Sequence, residues 1–157
     1  FGTARYGVAA IIALVHNVII TLGLFTACTY LAPTVFGKAL LLGDFKINME
    51  IIAGFLTLIG YSVNDTIVVF DRIRENRGKL SILTPEMITA SINQTLSRTI
   101  LTGTTTLMVL VIMYIWGGAG LRDFTFVMLV GIIIGTYSSI AIAAPLLLIG
   151  MKKTSQV

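Results

Sequence analysis

Four stretches of this chain are long and apolar enough to cross a lipid bilayer, and nothing else in the sequence constrains the fold as much. A helical span needs about 20 predominantly apolar residues to cross the hydrocarbon core. The stretches run over about residues 6–31, 49–70, 98–115 and 124–149. Lipid offers no partner for backbone N–H and C=O groups, so each span has to satisfy its own as a helix. The expected fold is therefore all-α, a polytopic transmembrane helix bundle forming one domain over residues 1–157. Composition agrees: 56% of the 157 residues are hydrophobic and 11% are charged, against about 25% charged in a soluble domain.

The net charge is +4, but nucleic-acid binding would need the basic residues clustered on one solvated face. Here they sit at the ends of apolar runs, so the charge reads as topological. On one side of the four spans lie Arg5, Arg72, Arg74, Arg77, Lys79, Arg98, Lys152 and Lys153, and on the other only Lys38, Lys46 and Arg122. The excess of basic residues marks the cytoplasmic side, which puts both ends of the chain in the cytoplasm of a multi-pass protein. The chain opens Phe1-Gly2-Thr3 with no initiator Met and reads as a piece of something longer. A single cysteine, Cys28, and a single histidine, His16, assemble neither a disulfide framework nor a Cys/His metal site, and no cofactor is expected.

The connector over residues 32–48 carries Pro33, Gly37, Gly43 and Asp44, whereas residues 71–80 form the charge-dense run DRIRENRGKL, read as a topology determinant. After it, Thr84 as N-cap, Pro85 at the first helical position and Glu86 in the first turn mark a helix start. Residues 85–97 are too polar to cross lipid, and Met87, Ile88, Ile92 and Leu96 suit a helix lying on the cytoplasmic surface.

Ionisable groups at membrane depth cost about 2.5 to 3.5 kcal/mol on insertion scales and point to function. Asp65 lies six residues before the charged edge at Asp71, roughly 9 Å inward at about 1.5 Å per residue. That is too deep for a short side chain to snorkel, so the acid is either protonated or partnered. The expected partner is Arg98. Ser91, Thr95, Arg98, Thr102 and Thr106 recur at spacings of three and four, which puts them on one helical face. Packed against Asp65, Asn64, Ser62 and Tyr61, that stripe would form a wettable path ending at an acid and a base. Position alone also allows Arg98 to snorkel to phosphates, and Thr102 and Thr106 to bond back to their own helix. In the first span His16, Asn17 and Thr21 extend the polar interior. In the fourth, Gly131, Gly135 and Ser139 recur every four residues, the small-residue pattern that lets helices approach closely. An intramembrane protease fits poorly: only Asp65 is embedded, and the sole nucleophile–base candidates are His16 with Ser138 or Ser139.

The run Gly60-Tyr61-Ser62-Val63-Asn64-Asp65-Thr66-Ile67-Val68-Val69-Phe70-Asp71-Arg72-Ile73-Arg74-Glu75-Asn76 closely resembles the signature of the SecF family, and Asn64-Asp65 followed by Phe70-Asp71-Arg72 separates it from the sister SecD family. Gln94 to Thr99, Thr104 to Leu107, Trp116-Gly117-Gly118 and Gly131 to Ser139 extend the likeness over nearly the whole chain. The resemblance implies the last four spans of a six-span protein of the resistance-nodulation-division superfamily in the bacterial inner membrane, with a large periplasmic domain elsewhere. It implies an auxiliary of protein export that couples proton flow to preprotein movement, not an enzyme, with SecD (fused or separate), the SecYEG channel, YajC and YidC as partners. It also implies a proton relay at Asp65 and Arg98 with Thr102 nearby. One departure stands out: many members resemble His-Asp where this chain has His16-Asn17, and Asn17 does not titrate. A non-conducting scaffold subunit, or another proton-driven exporter of that superfamily, is the rival expectation.

Overall fold

The computed structural model describes residues 2–39, 48–78 and 83–148. Four long helices dominate: α1 (Gly2–Leu31), α3 (Met49–Arg77), α4 (Pro85–Trp116) and α5 (Ala119–Ser138). Short α2 (Val35–Ala39) follows α1, and α5 continues through a π-helical turn (Ser139–Ala143) into α6 (Ala144–Leu146). All four long helices contain a window apolar enough to span a membrane. The expected ends at residues 149, 152 and 153 and the connector residues Gly43, Asp44, Lys46 and Lys79 lie outside the described residues.

Local chemistry explains the helix limits. Asn48 caps α3 by accepting from the Ile51 N–H at 2.9 Å, and its amide donates to Asp123 Oδ2 at 3.0 Å, tying the start of α3 to the start of α5. α3 does not stop at residue 70. It runs through the charged edge to Arg77, since Arg, Glu and Asn are compatible with a helix in water, and ends where Gly78 takes φ 49°. Thr84 caps α4, accepting from the Met87 N–H at 3.3 Å. The expected junction between a surface helix over 85–97 and a span from 98 is not a break, because α4 is one helix over Pro85–Trp116. Past Pro85 that stretch contains no proline, and Ile88 and Ser91 meet the end of α3, giving the polar third a protein neighbour. Gly117 and Gly118 then turn the chain directly into α5, Gly118 at φ 79°.

α5 packs against α1, α3 and α4, and α3 also meets α1 and α4. Three apolar clusters result. One joins Ala9 and Ala13, Val69, Phe70 and Ile73, Ile88, and Ala143 and Ala144. A second joins Phe25, Ala32, Ile51 and Val127 at the opposite end. A third joins Leu58, Leu110, Met128 and Ile132. Between the first cluster and the other two runs a belt of buried polar residues: Asn17 and Thr21, Ser62 and Thr66, Thr95 and Thr99, Ser138 and Ser139.

Candidate functional site

Asp65 is half-buried in this belt. Its Oδ1 accepts from Thr99 Oγ1 at 3.0 Å and its Oδ2 from Ser139 Oγ at 2.8 Å. Each oxygen therefore meets one hydroxyl from a different helix, and the acid holds α3, α4 and the π-helical turn after α5 together. Ser139 Oγ also lies 2.9 Å from the Thr136 carbonyl. A hydroxyl carries one proton, so two acceptors compete for it.

Arg98 is not the partner of Asp65 in this conformation. Among the described residues the ion pair within 4.0 Å is Arg72–Glu75, and Arg98 is exposed. The reason is rotational. The buried face of α4 is Ile88, Ser91, Thr95, Thr99, Gly103 and Leu110. It shares Ser91 and Thr95 with the expected stripe and leaves it after Thr95, stepping four residues to Thr99 instead of three to Arg98, so Thr99 faces the acid and Arg98 is exposed. Thr102, exposed, donates to the Arg98 carbonyl at 2.9 Å, and half-buried Thr106 to the Thr102 carbonyl at 2.8 Å, both bonding back to their own helix.

Of the remaining candidates, Ser62 is buried and its Oγ accepts from Asn17 Nδ2 at 2.6 Å, linking α3 to α1. His16 Nδ1 lies 3.4 Å from Asn17 Oδ1, so the histidine and Ser139 engage different partners. Asn64 is exposed. A Cβ on Gly131 would collide with the Leu58 methyls, so this glycine lets α5 approach α3 closely, whereas one on Gly135 would meet Ser62 at 3.6 Å, an ordinary contact. Ser139, expected as a packing residue and as a nucleophile candidate with His16, donates to the acid, and so does Thr99, which lies outside the expected polar stripe. The four-residue spacing of Ser91, Thr95, Thr99 and Gly103 is the sequence signal for this face, beside an equally helical stripe through Arg98. No group of three His, Cys, Asp or Glu able to hold a metal occurs among the described residues.

The model of the C-terminal region of the protein export membrane proteins SecD and SecF matches residues 3–153. The chain is 48% identical over 145 residues to the protein translocase subunit SecF of Rhodothermus marinus, covering 92% of this chain and 44% of that protein. It is 44% identical over 151 residues to the SecF subunit of Escherichia coli O157:H7, covering 95% of this chain and 42% of that protein. The crystal structure of SecDF from Thermus thermophilus, described as a translocon-associated membrane protein, matches with a TM-score of 0.71 at 43% identity, over 90% of this chain and 18% of that one. The chain thus spans less than half the length of these curated relatives.

Proposed function

The chain belongs to the SecD/SecF family of protein export membrane proteins, in its C-terminal region, and from that premise we propose that it is the proton-responsive membrane half of a SecF-type translocase subunit, working with a SecD partner beside the SecYEG channel. It would lie in the bacterial inner membrane with both ends cytoplasmic. YajC and YidC belong to the same reading as further neighbours.

The observation that carries the proposal is the Asp65 carboxyl, held inside an apolar bundle by two hydroxyls from two other segments. Ionised, Asp65 accepts from both. Protonated, it becomes a donor, and the hydroxyl of Ser139 is then released to the Thr136 carbonyl 2.9 Å away. A proton arriving at Asp65 thereby changes a hydrogen bond at the first residue of the π-helical turn, a kind of segment that recurs at functional sites. Buried Thr21 and Ser138 hydroxyls have no protein partner, and such polar positions suit ordered water, which supports a hydrated approach to the acid. Arg98 and Thr99 are successive residues about 100° apart around α4. A turn of α4, or a swing of the long Arg98 side chain, would exchange a neutral donor for a cation at the ionised acid. Asn17 adds no second titrating group beside it, which leaves Asp65 as the main proton carrier of this chain.

The rival is a scaffold in which Asp65, Thr99 and Ser139 are interhelical glue; that both carboxyl oxygens are already satisfied favours it. Proton flux into vesicles, measured on the full-length protein with SecD for the parent, Asp65→Asn and Arg98→Leu, separates the two. Loss of flux and export in complexes that still assemble supports the relay. Unchanged flux, or loss of assembly alone, makes the cluster structural.

A further inference from the structure

A cavity of about 510 Å³ opens between the first turns of α1 and the last turns of α3, lined by Tyr6, Gly7, Ile67, Asp71, Arg74 and Arg77 among others. We propose that it binds an anionic phospholipid, with the phosphate held by Arg74, Arg77 and the Tyr6 hydroxyl and the start of an acyl chain laid along Gly7 and Ile67.

The charged run at the end of α3 divides into two faces. Arg72 is committed: it pairs with Glu75 and donates to Gln94 Oε1 at 2.7 Å, while Asn76 donates to Ser91 and Gln94 of α4. Ile67, Asp71, Arg74 and Arg77 recur at spacings of three and four on the other side and line the cavity. Neither Arg74 nor Arg77 has a carboxylate within 4.0 Å among the described residues, and with Asp71 on the same wall the lining carries one net positive charge. Two buried polar atoms here have no partner: the Tyr6 hydroxyl, whose ring is fixed edge-on against Phe70 at 5.4 Å, and Arg77 Nε. Buried donors without acceptors are costly, and a small turn of each side chain toward an anion in the adjoining cavity would give both an acceptor. The far wall is apolar, and Gly7 and Ile67 are exposed, so the groove opens sideways along the bundle. It lies where α3 passes from its apolar run into its charged edge, the level at which lipid phosphates meet a spanning helix. Basic pockets between helices on this side are the kind that takes anionic headgroups. A free anion would use the arginines but leave the apolar wall uncovered.

The proposal is independent of the proton reading. The full-length protein, assembled in nanodiscs holding equal phosphatidylglycerol and phosphatidylcholine, would be analysed for co-isolated lipid by native mass spectrometry. Phosphatidylglycerol should be retained selectively. Two basic side chains contribute about 1 kcal/mol each near a surface, so Arg74→Gln with Arg77→Gln should cut retention roughly 30-fold. Tyr6→Phe, which keeps the ring, should cut it roughly tenfold. Gly7→Leu fills the apolar end where an added Cβ meets nothing within 4 Å, and should expel the lipid while the bundle stays folded. Equal retention of both lipids, retention indifferent to all three variants, displacement by inorganic phosphate alone, or a partner protein found crosslinked into the groove would each overturn the assignment.

Discussion

Gly131 and Gly135 sit one turn apart on α5, yet their substitution should have unequal consequences. A methyl group on Gly131 would fall within 2.5 Å of both Leu58 methyls, and Leu58 is wholly buried among Leu110, Met128 and Ile132. Overpacking a filled core costs about 1 to 3 kcal/mol, so Gly131→Ala should lower the thermal midpoint of the purified protein, and the same substitution made in a Leu58→Ala background should cost less than it does in the parent. On Gly135 the same methyl meets Ser62 at 3.6 Å, ordinary contact, and Gly135→Ala should be near neutral. A midpoint equally low for both variants would mean the helices are not packed in this register. The Asn17–Ser62 hydrogen bond at 2.6 Å links α1 to the same region. Interhelical hydrogen bonds in membranes average about 0.6 kcal/mol, so a double-mutant cycle with Asn17→Leu and Ser62→Ala should give a coupling of that order, against a value near zero if the contact is incidental.

At the level of elements, α4 is where spacing in the sequence and packing diverge. The four spans, their order and the start of α4 at Thr84-Pro85 were legible, because apolar run length and capping chemistry are local properties. The rotation of α4 was not, because stripes through Arg98 and through Thr99 are both helical, and only the packing of Ile88, Ser91 and Gly103 against neighbouring helices decides between them. The π-helical turn over Ser139–Ala143 has one sequence signal, Pro145, whose ring would clash with the Ala141 carbonyl of an ordinary helix and which has no N–H to donate to it. The polar third of α4 starts with Glu86, whose carboxyl is held below the usual carboxylate range by its own backbone N–H and then by the Thr84 hydroxyl. A carboxylate with a depressed folded value stabilises the first turn above the ordinary range, about pH 4.3, and that contribution is lost as the pH falls through the lower folded value. Hydrogen exchange at Met87 and Ile88 should therefore accelerate as the pH drops below about 4 once the intrinsic pH dependence is removed, and Glu86→Gln should abolish the acceleration. Exchange that follows the same corrected profile in both proteins would remove Glu86 from the cap.

Over the whole molecule, burial is unequal: 44% of the apolar window of α5 with its continuation is buried, against 17% for α4. α5 is the centre and α4 the rim. The outer surfaces also differ in kind. On α1, Ile11, Val15 and Ile19 are exposed and aliphatic, which suits lipid. On α4, Arg98, Thr102 and Thr105 are exposed beside Leu101, and a guanidinium facing hydrocarbon is costly unless it snorkels or is covered. The SecD partner proposed for this chain would therefore cover α4, bringing its own groups to Arg98 and leaving α1 to lipid. In a Cys28→Ala background of the full-length assembly, Thr102→Cys should form bifunctional-reagent crosslinks to SecD while Ile19→Cys forms none. The contrast matters more than either yield. Crosslinks at Ile19 without any at Thr102 would put the partner on the opposite side of the bundle, leaving Arg98 to face phosphates. The exchange of Thr99 for Arg98 at the acid would then have to occur within this chain alone.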